Sequence, residues 1–367
     1  MNRFALILLA GLSFAAAAPP QTSWTMFRAD AQLSGRSAGD LPADLKPLWT
    51  FPVEKGITST AAVVDGTVYV GGLDGHLYAV DLATGKLKWK YKATDEIKSS
   101  PAVDGGVVYF GDEKGAFHAV DGKTGAKKWT FQAGSGISSS ANFAGGCVLF
   151  GAYDQFIYCL SPKDGSVVWK VETDGYVHGT PAVVGDTVIS AGCDGYLRVL
   201  AVKDGKEVRR FSLGGYVGAS PAVSGDRAYV GNFENQFLGI DVKAGKVLWR
   251  YEHPVRKFPY YSSPALAGNS VIVGGRDKLV RALDTASGKE LWSYSARSAV
   301  DASPAVVGNR AFAADKSGQV FALDVKTGKA VWTFDAGSGI EASPAVAAGR
   351  LVIGTSDGTL YCFGAKS

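Results

Sequence analysis

Beyond residue 45 the chain repeats one short pattern of apolar runs and polar turns. In the unit from Ser100 to Phe131 four runs follow one another: Ser100-Pro101-Ala102-Val103, Val107-Val108-Tyr109-Phe110, Ala116-Phe117-His118-Ala119-Val120 and Lys127-Lys128-Trp129-Thr130-Phe131. Each is too short for a helix and is rich in β-branched and aromatic side chains, which suits a strand. The turns between them, Asp104-Gly105-Gly106, Glu113-Lys114-Gly115 and Lys123-Thr124-Gly125, carry glycines able to take the positive φ of tight hairpins. The pattern predicts four antiparallel strands in one small sheet.

Two independent markers count the units. Trp49, Trp89, Trp129 and Trp169 stand 40 residues apart, Arg209 holds the next place, and Trp249, Trp292 and Trp332 follow. A small hydroxyl recurs at Thr60, Ser100, Ser140, Thr180, Ser220, Ser263, Ser303 and Ser343, with the same spacing and one step of 43. Both give eight units. A lone four-stranded sheet exposes two apolar faces; stacking eight radially buries each against its neighbour, at ~25 cal/mol per Å² of apolar surface. The expected fold is all-β, an eight-bladed β-propeller over 46–365. The last unit, from Ser343 to Phe363, stops after three strands, and Leu48-Trp49-Thr50-Phe51 supplies a fourth before any first strand has occurred. The N-terminal strand is therefore expected to complete the last blade and close the ring.

The segment Ala-x-Asp-x-x-Thr-Gly-x-x-x-Trp, intact from Ala79 to Trp89, Ala119 to Trp129 and Ala322 to Trp332, resembles the tryptophan-docking motif of pyrroloquinoline-quinone-type (PQQ-like) propellers. Trp24 to Asp30, followed by Ser34-Gly35, resembles the lead-in of small secreted members. The resemblance implies that Trp49, Trp89, Trp129, Trp169, Trp249, Trp292 and Trp332 are structural docking residues. It leaves activity open, because the fold serves both quinoprotein dehydrogenases and non-enzymatic assembly proteins. The fourth blade departs from the motif with Val199 and Arg209, a larger residue at the small site offsetting the lost indole.

Residues 1–18 read as a secretory signal peptide: a charged start, an apolar stretch from Phe4 to Phe14, then small residues before Pro19. Residues 19–45 form a lead-in segment. The apolar run is too short for a bilayer span and no cysteine near the cut offers a lipid site, so a soluble protein is expected in the periplasm or outside the cell, without membrane insertion. The net charge of +4 is interspersed, with no basic run, which argues against nucleic acid. Four cysteines would permit disulfides there. Cys159 and Cys362, however, occupy the small apolar site of Ala79 and Ala119, and the expected register puts Cys147 and Cys159 on opposite sheet faces, so buried free thiols are expected.

Candidate chemistry lies where the repeat is broken. Two residues before the hydroxyl marker the units read Thr58, Lys98, Ser138, His178, Gly218, Tyr261, Asp301 and Glu341. Each begins an innermost strand, so the eight are expected to ring the channel mouth. Two readings stand: a polar ligand site, or loosely constrained positions at a water-filled opening. The three-residue insertion lies between Tyr251 and Ser262 and carries Arg256, Lys257, Phe258, Tyr260 and Tyr261; Tyr176 and Tyr216 hold the corresponding loops of the two preceding blades. Aromatic and basic groups together suit a contact surface for a protein, peptide or polymer partner.

Quinoprotein dehydrogenases of the resembling family hold the quinone against a Trp over Ca²⁺, with Glu, Asn and Asp around the metal and commonly adjacent cysteines. None of these can be placed here residue by residue. Only Asp301 and Glu341, with Asp112 and Asp315 from neighbouring loops, offer oxygens. Nor do His76, His118 and His253 show a Ser or Cys partner at recognisable spacing. The expectation is a non-catalytic binding scaffold, monomeric by itself, with no cofactor and no metal; a minimal quinoprotein oxidoreductase with PQQ and Ca²⁺ at the mouth is the alternative.

Overall fold

The structure, a computed structural model, describes residues 23–365; the expected signal segment 1–18 lies outside the described residues. Every described element is a strand, and all but the two-residue Arg36–Ser37 form eight separate antiparallel blades of four. Blade 1 comprises Ala62–Val64, Thr67–Gly71, His76–Asp81 and Leu87–Lys92, from the channel outward. The same order recurs in blades 2 to 7, covering 102–132, 142–172, 182–212, 222–252, 265–295 and 305–335. Middle strands such as Val107–Gly111 and Ala116–Asp121 are nearly wholly buried, while outer strands such as Lys127–Gln132 alternate between exposed and covered residues. Blade faces are thus the core, and one blade's apolar face is completed only by its neighbour's.

Blade 8 contains Ala345–Ala347, Arg350–Gly354 and Thr359–Gly364, and its outer strand is the N-terminal Lys46–Pro52. That pairing, Trp49 opposite Cys362 and Phe51 opposite Leu360, closes the ring as the sequence requires.

The docking residues work by one repeated geometry. Trp49 Nε1 donates to the Leu82 carbonyl of the next blade at 2.9 Å, Trp89 to Gly122 at 3.1 Å, and Trp332 crosses the closure to Leu45 at 3.0 Å. Except for Trp332 at the closure, each indole lies over the motif glycine of the next blade: a Cβ on Gly125 would stand 2.7 Å from the Trp89 ring. Arg209 keeps the donor after losing the ring, giving Nη1 to Val242 O at 3.1 Å while its stem covers Gly245. Val199, directly opposite Arg209, is buried beside it.

The cysteine expectation needs a correction. Leu149 pairs with Cys159, so Cys147, two residues from Leu149, shares a face with Cys159. Their Cα atoms are 5.3 Å apart and the two are joined as a disulfide. Cys193 and Cys362 are free thiols; Cys362 is buried and Cys193 partly exposed.

The lead-in segment does more than precede the ring. From Trp24 to Ser37 it winds beneath the channel as a strap, touching each blade in order. Innermost-strand amides donate to it: Val63 to Trp24 O, Val103 to Thr25 O, Val183 to Ala31 O, Val223 to Gln32 O, Leu266 to Ser34 O and Val306 to Gly35 O, all at 2.7 to 2.9 Å. In blade 3 the Asn142 side-chain amide replaces the backbone, reaching Ala31 O at 2.8 Å. The strap ends as a two-residue strand, Arg36–Ser37, parallel to Ala305–Val307. It satisfies channel-facing edge groups that would otherwise stay unpaired, and it closes one end of the channel.

Candidate functional site: the open mouth of the channel

Opposite the strap, two sets of loops surround the open end. Inlet loops, which lead into each first strand, lie against the loops joining second and third strands: Leu73 N donates to Gly56 O, Glu113 N to Glu96 O, Tyr153 N to Gly136 O and Phe233 N to Tyr216 O. The structure brings all eight residues from Thr58 to Glu341 together around a cavity of about 150 Å³. Beneath them runs the hydroxyl marker as a second ring. The Thr60 amide donates to Ser100 Oγ, the Ser100 amide to Ser140 Oγ, and so on to Ser303 and Ser343, seven bonds of 2.8 to 3.1 Å that staple blade to blade. Phe27 of the strap reaches the same cavity.

The sequence reading missed a third set. Glu113, Tyr153, Cys193, Phe233, Arg276 and Lys316 occupy one repeat position in the second-to-third-strand loops, and most of them meet the ring residue of the following blade. Ser138 donates to Glu113 at 2.6 Å, the Tyr153 hydroxyl lies 2.6 Å from His178 Nδ1, and Phe233 packs against Tyr261 with centroids 4.7 Å apart. Arg276 grips Asp301 with two bonds of 2.9 Å, and Lys316 lies 2.8 Å from Glu341. The partner stands 25 residues later, or 28 across the insertion, so applying the repeat-breaking criterion to this loop would have found them. Gly218 is the necessary gap: a Cβ there would stand 2.7 Å from Phe233.

These contacts divide the mouth. Over blades 3 to 6, Tyr153, Tyr176, His178, Cys193, Phe233 and Tyr261 line a cleft of about 190 Å³. The Arg276 guanidinium stacks 3.5 Å above the Tyr261 ring. Burial lowers the His178 pKa, against the pull of Glu113, and raises that of Tyr153, so both are neutral near pH 7. On the other side the charges are paired. Burial acts to lower the Lys98 pKa, but its bond to Glu113 at 3.1 Å outweighs that and raises it. The bond to Glu341 raises Lys316, and the grip on Asp301 raises Arg276.

The insertion is only partly a contact surface. Phe258 is 49% exposed, as are Tyr176 at 54% and Tyr216 at 60%. Lys257 pairs with Glu252 at 3.1 Å, and Arg256 bonds Asp277 O at 2.9 Å. Tyr260, at 4% exposure, does not reach the face. It occupies the place that Ile97 and Ile137 hold in other units, over Gly231 as they lie over Gly71 and Gly111, so it belongs to the core between blades 5 and 6.

PQQ over Ca²⁺ does not fit this donor set. Asp301 already faces Arg276 and Lys316, Glu341 faces Lys316, and Glu113 faces Lys98. Asp112 and Asp315 are buried and saturated: Asp112 accepts from the Thr94, Lys114 and Ala116 amides and from His118, and Asp315 from the Arg297, Ser317 and Gln319 amides. A divalent cation needs several carboxylate oxygens turned toward one point, and here each of these carboxylates is already engaged by a cation, an amide or a hydroxyl of the protein.

Similar proteins agree on architecture and differ in function. The chain matches a family described as outer membrane protein assembly factor BamB over residues 42–152, 133–208, 153–299 and 276–367. Among solved structures, BamB from Moraxella catarrhalis is 21% identical, with 88% of this chain and 98% of that one aligned at a TM-score of 0.75. The computationally designed Ika8 protein is 22% identical, with 86% and 98% covered at 0.75. Quinohemoprotein alcohol dehydrogenase from Comamonas testosteroni is 15% identical, with 96% and 82% covered at 0.83. No curated protein matches the sequence. At these identities the structures speak for the fold alone, whereas the family match spans the whole ring with its repeats and closure. The chain belongs to the PQQ-repeat β-propeller family described as outer membrane protein assembly factor BamB.

Proposed function

We propose that this protein is a non-catalytic scaffold that binds a protein, peptide or polymer partner across its open loop face, outside the cytoplasm, in the assembly of the cell envelope. One observation carries the reading. The exposed aromatics Tyr176, Tyr216 and Phe258 stand on consecutive inlet loops around a cleft already lined by aromatic rings, while the mouth's carboxylates are neutralised from within. Rigid rings bury area at small entropic cost, and the stacked Arg276 adds a directed donor at the edge. The family's description as an assembly factor agrees with a partner-binding role.

The test is capture of envelope proteins by the purified chain, compared with a variant carrying Tyr176→Ala, Tyr216→Ala and Phe258→Ala. These side chains are exposed, so the melting temperature is expected to stay within a few degrees while capture is lost. Undiminished capture would remove the loop face. The quinoprotein reading has its own assay: incubation with PQQ and Ca²⁺ followed by desalting. Stoichiometric retained quinone with dye-linked alcohol oxidation would overturn the scaffold reading.

A further inference from the structure

The blind end of the channel holds a set of hydrogen-bond donors that the loop face does not use. Seven of the ring hydroxyls, from Ser100 to Ser343, accept from backbone amides of the preceding blade, and an oxygen that accepts still has its own proton to give. Among the described residues no carbonyl or carboxylate takes those protons. Higher on the same wall, the Thr58 hydroxyl is buried with no partner among the described residues. Under the floor lies Arg28, 1% exposed, its guanidinium 5.9 Å from the centre of the Phe27 ring that reaches the cavity. Arg28 Nη2 donates to Pro264 O at 2.9 Å, but Nε and Nη1 have no partner among the described residues. Asp30, the nearest acid on the strap, is turned to the Ser34 amide and hydroxyl. Burial lowers the Arg28 pKa to about 9, which still leaves it a cation at neutral pH.

A well walled by donors above a buried, incompletely bonded cation selects for negative charge. We propose that the blind well is an oxyanion site, taking a carboxylate-sized group whose oxygens accept from the wall hydroxyls and whose charge faces Arg28 across the Phe27 floor. The cavity of about 150 Å³ admits a carboxylate with a few carbons and excludes a bulky anion. Mouth carboxylates do not repel it, because Lys98, Arg276 and Lys316 neutralise them. Water would satisfy the hydroxyls but leave Asp30, itself bonded to Ser34, as the one acid of the strap acting on the guanidinium; a cation would be repelled by Arg28. This site goes beyond the docking face and does not require it.

The experiment is a thermal melt of the purified chain in rising sodium acetate, against equal ionic strength of a bulky sulfonate. Acetate is expected to raise the melting temperature and the sulfonate not. Arg28→Met is expected to weaken the apparent affinity by at least about threefold, because it removes a charge that acts across the Phe27 ring and no direct bond to the anion. Thr58→Val keeps the side-chain shape and breaks no bond within the protein, so it is expected to fold normally and to weaken acetate by about threefold, as for one lost neutral donor. Titration with trialanine as free acid and as amide then separates two sources. Binding of the acid alone places the carboxylate at a peptide end, and an effect of acetate without either peptide makes it a free small anion. Equal melts in acetate and sulfonate, or an acetate effect untouched by Arg28→Met and Thr58→Val, would overturn the site.

Discussion

Arg209 shows which part of the docking tryptophan matters. The guanidinium retains the donor to the next blade, its stem covers Gly245, and the buried Val199 stands opposite it where most other blades carry alanine. Arg209→Trp alone should be crowded by Val199, whereas Val199→Ala with Arg209→Trp restores the lattice. Urea unfolding of the four combinations is expected to give a favourable coupling of ~0.5–3 kcal/mol. The glycine beneath the ring is equally constrained. Gly125 has φ +72°, and any Cβ there strikes Trp89, so Gly125→Ala should cost at least ~1–2 kcal/mol in the same measurement. His178 reports on pH. Its folded pKa lies below the ordinary 6.5, so the unfolded chain takes up the proton first. Stability should fall as pH drops below 6.5 and continue to fall toward the lower folded value. His178→Gln should flatten the melting temperature between pH 7.5 and 5.5, relative to the unaltered chain.

At the level of the loop, one insertion serves two ends. Phe258 faces outward, while Tyr260 fills a core position that is isoleucine or valine in other units. Tyr260→Ala is therefore expected to cost ~3–5 kcal/mol by thermal or urea unfolding, while Phe258→Ala costs little. Spacing placed both residues in one loop. It could not assign them to opposite environments, because that depends on which residue lands over Gly231. The hairpin of blade 3 follows the same logic. A shift of one residue in register moves every side chain to the other face, and the true register puts Cys147 beside Cys159.

For the whole molecule, stability rests on closure from the amino-terminal end, twice over. The strand Lys46–Pro52 completes blade 8, and the strap from Trp24 to Ser37 ties the innermost strands together. Removing residues 1–52 would expose the edge of Thr359–Gly364 and the floor at once. Such a chain is expected to lose its single cooperative transition and to self-associate, as calorimetry and size-exclusion chromatography would show. Loss of one closing bond is milder: Trp332→Phe gives up the donor to Leu45 and should cost ~1 kcal/mol.

The repeat by itself determined the blade number, the four strands of each blade, the closing strand and the eight residues around the mouth, because each follows from a fixed period and from which positions depart from it. Only the tertiary structure decided how neighbouring blades interlock there: that Glu113, Tyr153, Phe233, Arg276 and Lys316 reach the ring residue of the next blade, that Tyr260 turns inward, and that the strap makes the channel blind. Those outcomes depend on the angle and offset between blades, which a one-dimensional period does not encode.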